Sequence, residues 1–168
     1  MPFLTNPVVA CKPDGVSFQL VEHARYRGKV DDWTIPAGFG TDFATIPAVV
    51  SWAIPKLGAY TQAAIAHDYF CAAGILFGEI SARDTDAVFR RIMRELGVDA
   101  VTRWLVWTGV RWGALFNPIR RPEWWKDAPA VLFLSLLAAP VIVPASLLAV
   151  GGRLVLRAAS AISRLFRR

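Results

Sequence analysis

Apolar positions along this chain group into three stretches that read as helices, one that alternates like a strand, and one long run with no charged residue. Residues 60–73 (YTQAAIAHDYFCAA) lack proline and glycine and are apolar at Ala63, Ala64, Ala66 and Phe70, which predicts a helix that Gly74 and Gly78 end. Ser81-Ala-Arg-Asp84 is a capping-box-like start with aspartate in place of glutamate, and Gly97 supplies a stop, so a second helix is predicted between them. Residues 101–116 (VTRWLVWTGVRWGALF) predict a third, with Val101, Trp104, Leu105 and Trp112 among its apolar positions. Gly109 and Gly113 within it imply close packing against a neighbour.

Residues 16–26 (VSFQLVEHARY) alternate in part and predict a strand, with 31–35 as its hairpin partner. Between strand and helices lies 36–47 (PAGFGTDFATIP), a stiff loop with two glycines between bracketing prolines, then a short helix or strand at 48–54. The expected fold class is therefore α+β. A small N-terminal β-hairpin and loop pack on a helix pair plus a third helix over residues 1–122, and a C-terminal membrane segment occupies 123–168.

That last assignment rests on residues 128–150, 23 positions without a charge, enough to cross a hydrocarbon core of about 30 Å. Trp124, Trp125 and Lys126 precede the run as an interfacial anchor would, and an arginine-bearing amphipathic stretch, 154–166, follows it. Pro140 and Pro144 would either kink a single span or turn a re-entrant hairpin. The expected partner is the lipid bilayer. The net charge of +6 falls largely in the tail, at Arg153, Arg157, Arg164, Arg167 and Arg168. Membrane attachment accounts for that charge better than nucleic acid does, because no groove-reading motif is present. The first residues lack a basic region ahead of an apolar one, so no export signal is expected. Cys11 and Cys71 are too few for a disulfide framework, which makes a reducing compartment the default.

The helix pair carries the candidate chemistry. His67 lies six residues before the end of the first predicted helix and Asp86 five after the start of the second. At 1.5 Å per residue both sit about 8–9 Å from the connector, so an antiparallel pair brings them level. A carboxylate could then accept from one imidazole nitrogen and leave the other as a base. The competing reading is a histidine locked between helices by Asp86, with Asp68 capping or pairing to Arg83 or Arg90. Asp42 reads equally as a turn or capping aspartate. Cys71, one turn from His67, invites a thiolate–imidazole pair, although a small thiol facing another helix is more often core. His23 reads as a surface residue. The tryptophans at 104, 107 and 112 fall on more than one helical face, so some are core.

The loop Pro36–Pro47, His67-Asp68-Tyr69, the Arg83/Asp86/Phe89 pattern and the Trp104–Trp112 stretch together resemble a family of small phage and prophage proteins of unassigned function. The likeness covers residues 16–116 and implies a phage origin, with a place in the host inner membrane or the virion and other phage proteins as partners. A second likeness carries chemistry. His67-Asp68 followed by Asp86, Phe89 and Met93 is similar to the helix pair of the secreted phospholipases A2. That similarity implies His67 as the base that activates water, Asp86 as the carboxylate orienting it and Asp68 as a calcium ligand. The 37–43 loop would add backbone carbonyls, and Asp42 a further carboxylate. The chain departs from those enzymes at Cys71, where they carry tyrosine, in its Gly-Phe-Gly-Thr loop, and in lacking their cysteine framework. Lipid-ester hydrolysis at the bilayer surface is the first expectation. A non-enzymatic membrane or virion component acting in lysis, superinfection exclusion or tail assembly is the second, and a cell-wall hydrolase a distant third.

Overall fold

A computed structural model describes residues 3–29, 32–43, 52–54 and 57–165. Among the described residues six short strands come first: β1 (Phe3–Thr5), β2 (Val9–Cys11), β3 (Phe18–Leu20), β4 (Ala24–Arg27), β5 (Asp32–Ile35) and β6 (Gly40–Thr41). They form two antiparallel three-stranded sheets, ordered β1-β4-β5 and β2-β3-β6. The helices follow: α1 (Thr61–Tyr69) running into a π-helical turn (Phe70–Gly74), α2 (Ala82–Glu95), α3 (Ala100–Leu115), a 3-10 turn (Arg121–Lys126) and α4 (Ala128–Leu165). The α+β class and the order hairpin, helix pair, third helix, long apolar helix match the expectation.

The single strand expected at 16–26 is instead two strands in different sheets. A continuous strand, with its two-residue period, would place Glu22 on the same face as Leu20, Ala24 and Tyr26, which are 1%, 0% and 0% exposed. Burying an unpaired carboxylate there is costly. The chain bends across Val21–His23, leaving Val21, Glu22 and His23 at the surface, and only β4 pairs with β5, from Ala24↔Ile35 to Arg27↔Asp32. Most of the element expected at 48–54 lies outside the described residues; 52–54 form a turn.

α2 begins and ends where its sequence signals lie. The Ser81 hydroxyl accepts from the Asp84 N–H at 3.0 Å, and Gly97 takes φ 77° beyond the last turn. Asp99 caps α3 by accepting from the Thr102 N–H at 2.9 Å. Gly109 and Gly113 do not pack closely: both are exposed, and a Cβ at either would meet open space.

Two clusters make the core. The larger joins the sheets to α1 and α2 through Tyr26, Ile35, Phe70, Phe89, Ile92 and Met93. The smaller seats the start of α4 on α3, with Trp107, Ala114, Trp124, Ala128 and Val131 buried together. Beyond that seat α4 is mostly uncovered, with Leu136, Leu137, Val141, Leu147 and Leu148 all more than 60% exposed. Its most apolar window has a mean hydropathy of 2.4, so it is long and apolar enough to cross a membrane. Pro140 and Pro144 lie inside one continuous helix, with no hairpin at either.

Candidate functional site

His67 and Asp86 face each other as helix arithmetic places them, with Nε2 2.8 Å from Oδ1. Two arginines share the same carboxylate. Arg111, on α3, donates from Nη1 to Oδ2 at 2.9 Å, and Arg120, just before the 3-10 turn, donates from Nη2 to Oδ1. Asp86 and Arg111 are both 0% exposed. The other end of Arg111 donates to the Glu123 carbonyl at 2.9 Å and lies 3.5 Å from Asp127, which also pairs with Arg83 at 2.9 Å. One network of carboxylates and cations thus ties α1, α2, α3 and the root of α4 together.

Arg83 and Arg90 are not the partners of Asp68. Arg83 is taken by Asp127, and Arg90 lies over the Trp104 ring, 4.0 Å from its centroid. Asp68 instead accepts the Thr41 hydroxyl, and that hydroxyl in turn accepts the Phe43 N–H at 2.9 Å. The loop turn is therefore held by Thr41. Phe43 sits at φ 67°, a left-handed conformation that costs a bulky residue on the order of 1–3 kcal/mol. Its ring is buried against Phe18, with centroids 4.4 Å apart, which offsets the strain.

These residues shape a cavity of about 540 Å³ lined by Lys12, Ser17, Thr41, Asp42, Asp68 and Cys71, among others. The sequence candidates divide here: Asp42 and Asp68 line the cavity, whereas His67 and Asp86 lie behind it. Cys71 stands between, half-buried, with Sγ 3.5 Å from Nε2 and 3.9 Å from Nδ1 of His67. It is a wall of the cavity and not a core thiol, because the π-helical turn carries it outward at the end of α1. The imidazole is 7% exposed and its other face rests on Phe89, with ring centroids 4.7 Å apart.

The electrostatics follow from these contacts. Burial pulls the His67 pKa down, but hydrogen bonds to Asp86 and Cys71 outweigh it and raise the value to about 9. At neutral pH the ring is an imidazolium. Burial pushes Asp86 up, yet His67, Arg120 and Arg111 hold its pKa below the ordinary carboxylate value. Burial raises Asp68 to about 6, and nearby Asp42 adds to the rise while Thr41 opposes it. A calcium ion takes six to eight oxygens. Among the described residues no three of His, Cys, Asp and Glu are grouped to hold a metal, and Asp68 is already engaged by Thr41. Asp42 and Asp68 supply two carboxylates to the wall of the cavity.

Arg111 and Arg120 were not visible as site residues from sequence. The available signal was an arginine inside a tryptophan-rich apolar helix, since such a charge is buried only when paired. No curated protein and no solved structure matches the chain. Residues 18–110, more than half of its length, match the family described as "Protein of unknown function (DUF1353)", and the chain belongs to that family.

Proposed function

We propose that this protein is a membrane-anchored, non-catalytic component whose His67–Asp86 pair is a structural clamp. The observation that carries the reading is the saturation of Asp86: three cationic side chains, from α1, α3 and the turn before α4, occupy its two oxygens. A general base for water needs a neutral imidazole with an open nitrogen. His67 is protonated near neutrality and stands behind Cys71. The mostly uncovered apolar helix supports the anchor. Phage or prophage origin, with residence in the host inner membrane or the virion beside other phage proteins, belongs to this proposal through the ordered loop and helix motifs alone.

A second reading keeps hydrolysis but moves the nucleophile. Cys71 reaches the cavity, and a thiol beside an imidazolium that a carboxylate orients is the arrangement of a cysteine nucleophile. The experiment uses the full chain in detergent with a fluorescent phospholipid, in calcium and in chelator, alongside His67→Ala and Cys71→Ala, with folding checked by thermal melting. No fatty acid release above the blank is expected from any of them. Release abolished by Cys71→Ala but indifferent to chelator would replace the clamp with the thiol reading. Release abolished by chelator and by His67→Ala, yet kept in Cys71→Ala, would restore a phospholipase A2-like mechanism.

A further inference from the structure

A second concavity, of about 750 Å³, lies between α2 and the first half of α3, away from the cavity that Cys71 lines. Five cations line it, Lys29, Arg90, Arg91, Arg94 and Arg103, against one carboxylate, Asp84, which is engaged with Ser81. Arg91 is bound to Glu95 and to the Tyr26 hydroxyl. Lys29, Arg94 and Arg103 have no ion pair among the described residues. The guanidinium of Arg90 lies over the Trp104 ring at 4.0 Å and reaches Trp107 at 5.2 Å. Its pKa is lowered by burial, Asp127 opposes that, and the like charges of Arg103 and Arg94 press it further down. Gathering like charges around one hollow without acids to match is unfavourable unless an anion joins them.

The hollow also has a fixed position relative to the apolar helix. Trp104 packs edge-on against Trp107 at 5.4 Å, and Trp107 belongs to the cluster that seats Ala128 and Val131. Asp127, whose charge Arg90 senses, immediately precedes α4. Arg90 thus ties the hollow to the root of the helix, through the charge of Asp127 and through the Trp104–Trp107 pair.

We propose that the α2–α3 cleft binds the phosphate of an anionic phospholipid headgroup, with Arg90, Arg94 and Arg103 as the ligating cations and Trp104 as the shelf that orients Arg90. The proposal rests on the membrane-anchored reading and names the lipid that this anchor selects. A basic pocket beside a membrane helix is a known way to select anionic headgroups.

Detergent micelles doped with fluorescent short-chain phosphatidylglycerol or phosphatidylcholine test it on the full chain, because capture in micelles does not depend on insertion into a bilayer. Phosphatidylglycerol is expected to be preferred. Arg94→Gln and Arg103→Gln should each weaken its capture about fivefold, the effect of one juxtamembrane cation. Arg103→Lys should restore most of the loss, and Arg27→Gln, an equal loss of charge on β4, should leave capture unchanged. Equal capture of both lipids, or losses no larger than that of Arg27→Gln, overturns the proposal. Inorganic pyrophosphate or a single-stranded oligonucleotide that binds through the same arginines with no lipid preference overturns the lipid assignment. Flotation with neutral vesicles is read separately: its failure rejects the anchor, whatever the micelles show.

Discussion

Asp86 is where the charge of one side chain decides the most. Asp86→Asn keeps the shape but leaves Arg111, 0% exposed, facing a neutral amide. Breaking a buried pair in this way costs about 3–5 kcal/mol, to be read from urea denaturation at neutral pH. The pH dependence follows from the shifts. His67 is raised from 6.5 to about 9, so its contribution is complete below 6.5 and is lost as pH climbs through 9. Asp86 is lowered, so its contribution is complete above 3.8 and is lost as pH falls below that value. The clamp is therefore strongest between 3.8 and 6.5. Asp68 works the other way: raised from 3.8 to about 6, it favours the fold when protonated, and that contribution is lost as pH rises through 6. Asp68→Asn should flatten the stability profile between 3.8 and about 6 and make the protein more stable than wild type at neutral pH. Denaturant titrations across that range check it, and an unchanged slope would refute the assignment. His67 and Asp86 were legible in the sequence because the glycines ending the first helix and the Ser81 cap of the second fix their heights. Arg111 and Arg120 were not, since they stand 25 and 34 residues from Asp86 and local spacing says nothing about contacts that distant.

Elements with explicit stop and start chemistry were the most readable. Ser81 and Gly97 bracket α2, and both do physical work there. Ser81→Ala should cost about 1 kcal/mol through the lost cap. Gly97→Ala, forced to hold φ 77°, should cost roughly 1–2 kcal/mol. Gly109→Ala should do the reverse. Its helix is exposed at that point and an added methyl meets nothing, so the replacement is expected to stabilise by roughly 0.5–1 kcal/mol. Thermal melts of the three variants give the signs directly, and a destabilised Gly109→Ala would reinstate the close packing that the glycine spacing suggested. The β region was less legible for a physical reason. Its strands are two to four residues long, and the break at Val21–His23 depends on which sheet each half joins, a tertiary choice that alternation alone does not encode. The π-helical turn at Phe70–Gly74 is likewise tertiary. A Cβ at Gly74 would come within 2.8 Å of the Ile80 side chain, so a larger residue there would force that side chain aside.

At the scale of the molecule, one domain is fastened to the base of a 38-residue helix that it leaves mostly uncovered. At 1.5 Å per residue the helix is about 57 Å long, nearly twice the apolar thickness of a bilayer. Its charge-free part was legible from composition. That it would stay helical past Pro140, Pro144 and the Gly151-Gly152 pair was not, because each of these residues ordinarily argues for a break. The domain touches the helix a second time: the Trp52 indole donates to the Ser146 hydroxyl at 3.3 Å, about 27 Å along from Ala128. The buried seat, all of it before Leu137, makes the anchor separable. Ending the chain after Leu137 keeps Ala128, Val131 and Ser135, and with them the Trp112 bond of 3.0 Å, but removes the mostly uncovered apolar turns beyond. The shortened protein should stay folded, elute as a discrete species without detergent and fail to float with neutral vesicles, while its α2–α3 cleft still prefers phosphatidylglycerol in micelles. If it floats as well as the full chain, the attachment resides in the domain itself.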